Sequence, residues 1–306
     1  MNVLSLFDGI SCGQIALNRL GVKYENYFAS EIDKYAIQVT MANYPNTKQL
    51  GDVRNVTADN LPKIDLLIGG SPCQGFSFAG AGLNFEDERS KLFFEFVRLK
   101  DELKPKYFLL ENVNMKKEWE DIITKYLGVK PIKLNSSLVS AQNRERIYWT
   151  NISVTDLPTD KGILIKDITE DGGNTILEDF YKSRDVRVYE DKAPTLRSQR
   201  SGLKVVKNIY PKKGQNGNVY SLFGKSKTLS AGIEIVGNGI GSSNAPKIEA
   251  NNEQGWRRLT AMECERLQTV PDGYTNMVSD TQRYKALGNG WTIDIITHLF
   301  KNLLQF

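Results

Sequence analysis

Ile64-Asp65-Leu66-Leu67-Ile68 is a short apolar run closed by Gly69-Gly70, and Ser71-Pro72-Cys73-Gln74-Gly75-Phe76-Ser77 follows it directly. The run reads as a buried strand whose C-terminal end lies at the two glycines. Pro72 fixes its own φ and pushes Ser71 toward extended geometry. Cys73 is therefore expected on a stiff turn just past a strand end, where open α/β sheets gather ligands and chemistry. A thiol held in that way is a candidate nucleophile. Taken alone, a free cysteine is more often inert packing. The rest of the chain decides between the two.

Val3-Leu4-Ser5-Leu6-Phe7 is a second strand pattern, and it runs into Asp8-Gly9-Ile10-Ser11-Cys12-Gly13. A helix pattern through Ile15, Ala16 and Leu20 follows, closed by Gly21. Strand, glycine turn and helix in that order form the opening of a Rossmann-type nucleotide unit. After a further strand, Tyr27-Phe28-Ala29, Glu31 stands about 20 residues beyond Gly9, the spacing of a ribose-binding acid. A helix N-cap is the plainer role for such a residue. Tyr107 to Val113 is another strand, and Glu111 near its end is costly to bury unless paired or functional. In Ser140-Ala141-Gln142-Asn143-Arg144-Glu145-Arg146 the two arginines are two apart. On an extended segment that spacing directs both to one face, toward an anionic or carbonyl-rich ligand.

The chain has 306 residues, 40% of them hydrophobic and 25% charged, which suits one large α/β domain with a smaller second one. No apolar run approaches a membrane span, and the N-terminus lacks a signal-peptide pattern, so a cytoplasmic protein is expected. Cys12, Cys73 and Cys264 are widely spaced and give neither a disulfide framework nor a metal pattern. The single histidine, His298, lies in an apolar C-terminal helix pattern and reads as structural. Helix periodicity disappears between about residue 153 and about residue 258, where Gly, Lys, Ser and Asn rise. Within that stretch, lysines and arginines run from Lys182 to Lys213 with only Asp185, Glu190 and Asp191 opposing them. The net charge of +4 is a weak pointer to nucleic acid; the local concentration says more. Gln74 to Arg89 is too glycine-rich for a helix or central strand, and a long loop beside a nucleophile reads as a lid. Ser90 is expected to cap the helix that follows.

Gly70-Ser71-Pro72-Cys73-Gln74-Gly75-Phe76-Ser77 resembles the nucleophile motif of DNA (cytosine-5)-methyltransferases. The family's other motifs follow in order over nearly the whole chain. Phe7-Asp8-Gly9-Ile10 resembles the first S-adenosylmethionine motif. The usual Gly-Gly pair is replaced by Ser11-Cys12, a version similar to the animal de novo enzymes. Glu111-Asn112-Val113 matches the glutamate motif, and Gln142-x-Arg144-x-Arg146 matches the two-arginine motif. Trp256 to Gln268, a helix capped by Thr260 with Glu263 in the capping-box position, resembles the ninth motif. Tyr284 to Trp291 resembles the tenth, with Gly290 and Trp291 again as in the de novo enzymes.

The resemblance implies a Rossmann-like α/β sheet binding S-adenosylmethionine, in residues 1–153 plus 256–306, and a β- and loop-rich target-recognition domain in 154–255. It implies that Cys73 is the nucleophile and Glu111 holds the base, with Arg146 on the cytosine O2 and Arg144 ordering Glu111. It assigns Phe7, Asp8, Gly9, Ile10, Cys12, Gly70, Asn289, Gly290 and Trp291 to the cofactor. Glu31 becomes its ribose ligand, Ile32 stacks on adenine, Asp52 beside Val53 accepts from the adenine amino group, and Leu92 reaches the adenine edge. Ser71, Pro72, Gln74, Asn112 and Thr228 would meet the substrate. No metal is implied. The partner is double-stranded DNA, approached by a monomer of the free-standing bacterial or phage type, with a cognate restriction endonuclease as a further partner. Two alternatives stand beside this: a tRNA cytosine-5 methyltransferase, and a catalytically silent DNA-binding relative.

Overall fold

The computed structural model describes residues 1–71, 88–170 and 257–304, together with the short strands 178–180, 183–187, 207–208, 218–220, 226–227 and 247–248. Contact density divides the chain into two compact units. The first is Met1–Asn135, Glu145–Leu157 and Ile293–Phe306; the second is Ser136–Arg144 and Pro158–Thr292. This grouping places 256–292, including the ninth- and tenth-motif segments, with the second unit, whereas the sequence reading joins them to the first.

The first unit is built on β1 (Asn2–Leu6), β2 (Asn26–Ser30), β3 (Lys48–Gln49), β4 (Leu66–Gly70), β5 (Tyr107–Val113) and β6 (Ile132–Asn135). Past the two-residue β7 (Gln142–Asn143), which belongs to the second unit, β8 (Glu145–Thr150) completes the sheet. The order is β3-β2-β1-β4-β5-β8-β6, parallel from β3 through β5, with β8 antiparallel to both β5 and β6. Strand order reverses between β1 and β4, which makes their C-terminal ends the switch point where α/β sheets bind ligands.

Alternation along the strands serves two layers of helices. Leu4, Leu6, Leu67 and Leu110 cluster with Phe93 and Phe96 of α3 (Glu88–Leu103) and Ile123 of α4 (Lys117–Leu127). On the other face, α1 (Cys12–Arg19) approaches Ile68 and Tyr27 closely, and α7 (Ile293–Phe300) packs beside α1. The terminal segment thus returns to the first sheet, as its apolar periodicity implies, and Asp294 pairs with Arg19. His298 is buried, with Nε2 2.8 Å from the Asp156 carbonyl, a structural placement. Helix α2 (Lys34–Asn43) is capped by Asp33, whose side chain accepts from the Tyr35 N–H. Helix α3 starts at Glu88, so Ser90 lies within it and does not cap it.

The second unit holds α5 (Ala261–Leu267) and α6 (Asp280–Asn289). The capping box forms as its sequence implies: Thr260 Oγ1 accepts from the Glu263 N–H at 3.1 Å, and Glu263 Oε2 accepts from the Thr260 N–H at 2.7 Å. Cys264 is buried in α5, where desolvation drives its thiol well above the ordinary range, as for packing and not reactivity. Short strands 207–208, 218–220, 247–248 and 257–258 form one small sheet, 178–180 pairs with 183–187, and 226–227 pairs with β7. Among the described residues no helix is long and apolar enough to cross a membrane.

Candidate active site

Strand register positions the acid. Gly70 at the end of β4 pairs directly with Glu111 of β5. Glu111 therefore stands on the same sheet edge as Ser71, the residue that follows Gly70. On its other side β5 pairs with β8, where Val113 opposes Arg146. Glu111 and Val113 share a face, as do residues opposed across a ladder, so Arg146 lies diagonal to Glu111 within reach of its carboxylate. Arg146 Nε is 3.0 Å from Glu111 Oε1, with side chains 13% and 11% exposed. The Nε–H is out of line for a hydrogen bond to that oxygen. The two are joined by charge, and Arg146 Nη1 donates instead to the Glu145 carbonyl at 2.7 Å. Asn112 ties the two strand ends together: its Nδ2 donates to Ser71 Oγ at 3.3 Å, and its Oδ1 accepts from the Val113 N–H. Ser71 and Asn112 are both buried.

Beside this edge lies the turn from β1 into α1. Strand β1 ends where Phe7 turns into the left-handed region at φ 56°, followed by Gly9 at 59° and Ser11 at 58°. The Asp8 N–H donates to the Ser30 carbonyl, which fastens the turn to the end of β2. The Gly9 N–H donates to Glu31 Oε2 at 2.8 Å, and Glu31 Oε1 accepts from the N–H groups of Ile32 and Asp33. Glu31 is thus locked in place by three backbone donors, while Asp33 does the capping. Ile32 is 75% exposed, an unusual position for a large apolar side chain next to a fixed carboxylate. A Cβ added at Gly9 would meet open space. Open space over the glycine, a held acid and a bare apolar side chain are what an adenosine-bearing cofactor needs, so these residues fit S-adenosylmethionine.

Asp52 caps the short turn that begins at the buried Val53, and Arg54 donates to both of its carboxylate oxygens. The Arg54 guanidinium holds the Asp52 carboxyl down at about 2. Arg98 of α3 donates to the Val56 carbonyl at 2.9 Å and to the Val53 carbonyl at 3.4 Å, which closes the same turn from the other end. Leu92, half-buried, packs against the main core cluster, and Ile10 and Cys12 are buried. Asp8 is also buried. Desolvation raises its carboxyl to about 6 against the opposing hydrogen bonds of Ser11, Ser5 and Tyr27.

The two arginines of the Gln-x-Arg-x-Arg motif do not lie on one continuous strand. Strand β7 stops at Asn143 and β8 begins at Glu145, so the shared-face premise fails at Arg144. Arg144 is buried, and its guanidinium donates to the carbonyls of Gly288 (3.4 Å) and Gly290 (3.0 Å) at the end of α6. A cation at a helix C-terminus is favoured by the exposed carbonyls there. Gln268 joins it, donating to the Leu287 carbonyl at 2.7 Å and accepting from Thr292 Oγ1 at 2.8 Å. Asn289, Gly290 and the buried Trp291 are carried on this fixed turn of the second unit.

Pro72, Cys73, Gln74 and Thr228 lie outside the described residues, as do most of the glycine-rich stretch and most of the basic stretch. The sequence reading missed Ser11 and Tyr27, whose hydroxyls meet Asp8, and Arg98 and Gln268, which hold two turns. Only Ser11 carried a signal, as a non-glycine in a glycine turn.

A family model described as C-5 cytosine-specific DNA methylase matches residues 1–305. The type II methyltransferase M1.ScrFI of Lactococcus lactis subsp. cremoris is 32% identical over 328 aligned positions, covering 99% of this chain and 78% of that protein. The orphan methyltransferase M.SPRI of Bacillus phage SPR is 27% identical, covering 100% of this chain and 98% of that one. Among solved structures, the Dnmt2 methyltransferase of S. pombe superposes with a TM-score of 0.69 at 20% identity, covering 100% and 98% of the two chains, a likeness of fold. With its sheet, its glycine turn and a family match over essentially its full length, this chain belongs to the C-5 cytosine-specific DNA methylase family.

Proposed function

We propose that the chain transfers a methyl group from S-adenosylmethionine to C5 of a cytosine extruded from a specific double-stranded DNA sequence, through a covalent bond between Cys73 and C6. The observation that carries the reading is the Gly70–Glu111 register, with Arg146 diagonal to the acid. In the sequence Cys73 follows Gly70 by three residues, and Glu111 stands opposite Gly70 on the neighbouring parallel strand, which supports a thiol and a carboxyl acting on one base.

Cytosine C5 is a poor nucleophile. Addition of the Cys73 thiolate to C6 makes C5 enamine-like. Glu111 holds N3 and the exocyclic amino group and stabilises the ring as charge develops. Arg146 takes the O2 and, 3.0 Å from Glu111 Oε1, keeps the carboxylate oriented. S-adenosylmethionine supplies the electrophilic methyl group. Methyl transfer leaves S-adenosylhomocysteine; loss of the C5 proton to water then re-forms the C5–C6 double bond, expels the Cys73 thiolate and restores the ring. Glu31 Oε2 accepts one bond from Gly9 and has a second lone pair for a ribose hydroxyl. Ile32 offers a plate for the adenine ring. Asp52, oriented by Arg54, accepts from the adenine amino group. Arg144 works through the Gly288–Gly290 turn that carries Asn289 and Trp291. A stacked base is out of reach of these groups, so the target leaves the helix, and residues 154–255 read base edges and phosphates.

The protein acts as a monomer on DNA in the cytoplasm of a bacterial or phage-infected cell, shielding sites from a cognate restriction endonuclease or serving as an orphan. Duplex DNA with 5-fluorocytosine at the target tests the chemistry, because fluorine at C5 cannot leave as a proton. A detergent-stable protein–DNA adduct is expected with the wild type and S-adenosylmethionine, and none with Cys73→Ala. Methylation of ordinary DNA without any trapped adduct would overturn the covalent route.

A further inference from the structure

We propose that Asp8 is a positioning residue that, through Ser11, holds the β1–α1 turn in a left-handed form which glycine would adopt unaided. The inference rests on reading this turn as the cofactor loop. Ser11 is fully buried at φ 58°, ψ 44°, a conformation disfavoured for any residue with a Cβ. Its hydroxyl donates to the Asp8 carboxylate and accepts from Gln14 Nε2 at 3.0 Å. The Tyr27 hydroxyl donates to Asp8 Oδ1 at 2.9 Å. Asp8 is anchored in its backbone too: its N–H donates to the Ser30 carbonyl, and its own carbonyl accepts from the Ser11 N–H.

The strained residue is therefore strapped by both side chain and main chain to one buried acid. The turn cannot relieve its strain by sliding α1 inward against the sheet. A Cβ at Gly13 would stand 2.3 Å from Ile68 Cδ1 and 2.8 Å from the Tyr27 hydroxyl, so the helix already touches the sheet through bare backbone. Asp8 turns its carboxyl into this hydroxyl cluster and away from solvent, and acts on a ligand only through the shape of the Gly9–Cys12 backbone.

The test is a double-mutant cycle read by S-adenosylhomocysteine affinity in calorimetry and by amide hydrogen exchange over residues 9–13 of the ligand-free protein. Asp8→Ala should weaken binding on the order of tenfold, because the left-handed turn loses its strap. Ser11→Gly should bind like the wild type, and Asp8→Ala in the Ser11→Gly background should recover most of the loss. An Asp8→Ala penalty undiminished in the Ser11→Gly background, or no penalty at all, overturns the proposal. Should Asp8→Ala fail to fold, Ser11→Ala against Ser11→Gly asks the same question: alanine keeps the strain and loses the hydroxyl, so only alanine should weaken binding. Failure of the wild type to bind S-adenosylhomocysteine would sink the functional reading alone. The exchange data would then decide, with faster exchange in Asp8→Ala and recovery in the double variant supporting the strap, and equal exchange in all variants refuting it.

Discussion

Glu111 and Arg146 meet across neighbouring antiparallel strands, Oε1 to Nε 3.0 Å, with both side chains nearly buried and no aligned Nε–H hydrogen bond between them. A carboxylate and a guanidinium held this close and this dry present an acceptor and donors together, and a cytosine edge offers the complementary groups. Glu111→Gln keeps the shape and removes the charge. It should lower kcat by about 100-fold or more in a methyl-incorporation assay, with the thermal transition lowered by only a few degrees. Retention of wild-type kcat would separate the pair from the chemistry.

Arg146→Ala strands a buried carboxylate. A loss of about 3–5 kcal/mol in urea unfolding is expected. Arg146→Lys should recover stability only in part, because a point charge cannot offer the guanidinium fork. Full recovery by lysine would argue for a simple charge contact.

Gly13→Ala should cost about 1–3 kcal/mol by overpacking, since the new methyl falls within contact distance of Ile68 Cδ1 and the Tyr27 hydroxyl. Ile68→Val removes the nearer obstacle and should restore part of that loss in the double variant. Simple additivity of the two changes would mean that the helix moves away instead.

Asp8 gives the fold a pH dependence of known sign. Its carboxyl, ordinarily at 3.8, is raised to about 6 in the folded chain. Between those values the folded protein holds more protons than the unfolded one, so stability falls as pH rises. The difference amounts to about 3 kcal/mol, fully developed above pH 6. Urea unfolding from pH 4 to 7 should show the wild type losing most of that, about 2 kcal/mol, relative to Asp8→Asn. A constant offset between the two proteins would contradict the buried-acid environment.

Much of the first sheet was legible because periodicity and punctuation coincide there. Tyr107–Val113 is a strand over the residues its apolar pattern marks. Thr260 and Glu263 form the capping box that their spacing implies. Where reading failed, the deciding partner was distant in sequence. Nothing near Arg144 reveals that the carbonyls of Gly288 and Gly290 satisfy it, or that the chain leaves extended geometry between β7 and β8. The hydroxyls around Asp8 come from residues 11 and 27, joined only by the parallel pairing of β1 with β2. Ser90 reads as a cap because caps are judged locally, yet α3 begins at Glu88.

Bisulfite sequencing of host DNA after expression of the wild type, beside Cys73→Ala and with tRNA from the same cells analysed in parallel, reads base, carbon and sequence context together. Protected cytosines at one recurring duplex sequence are expected with the wild type alone and none in tRNA. Methylation confined to tRNA, or unchanged by loss of Cys73, would contradict it.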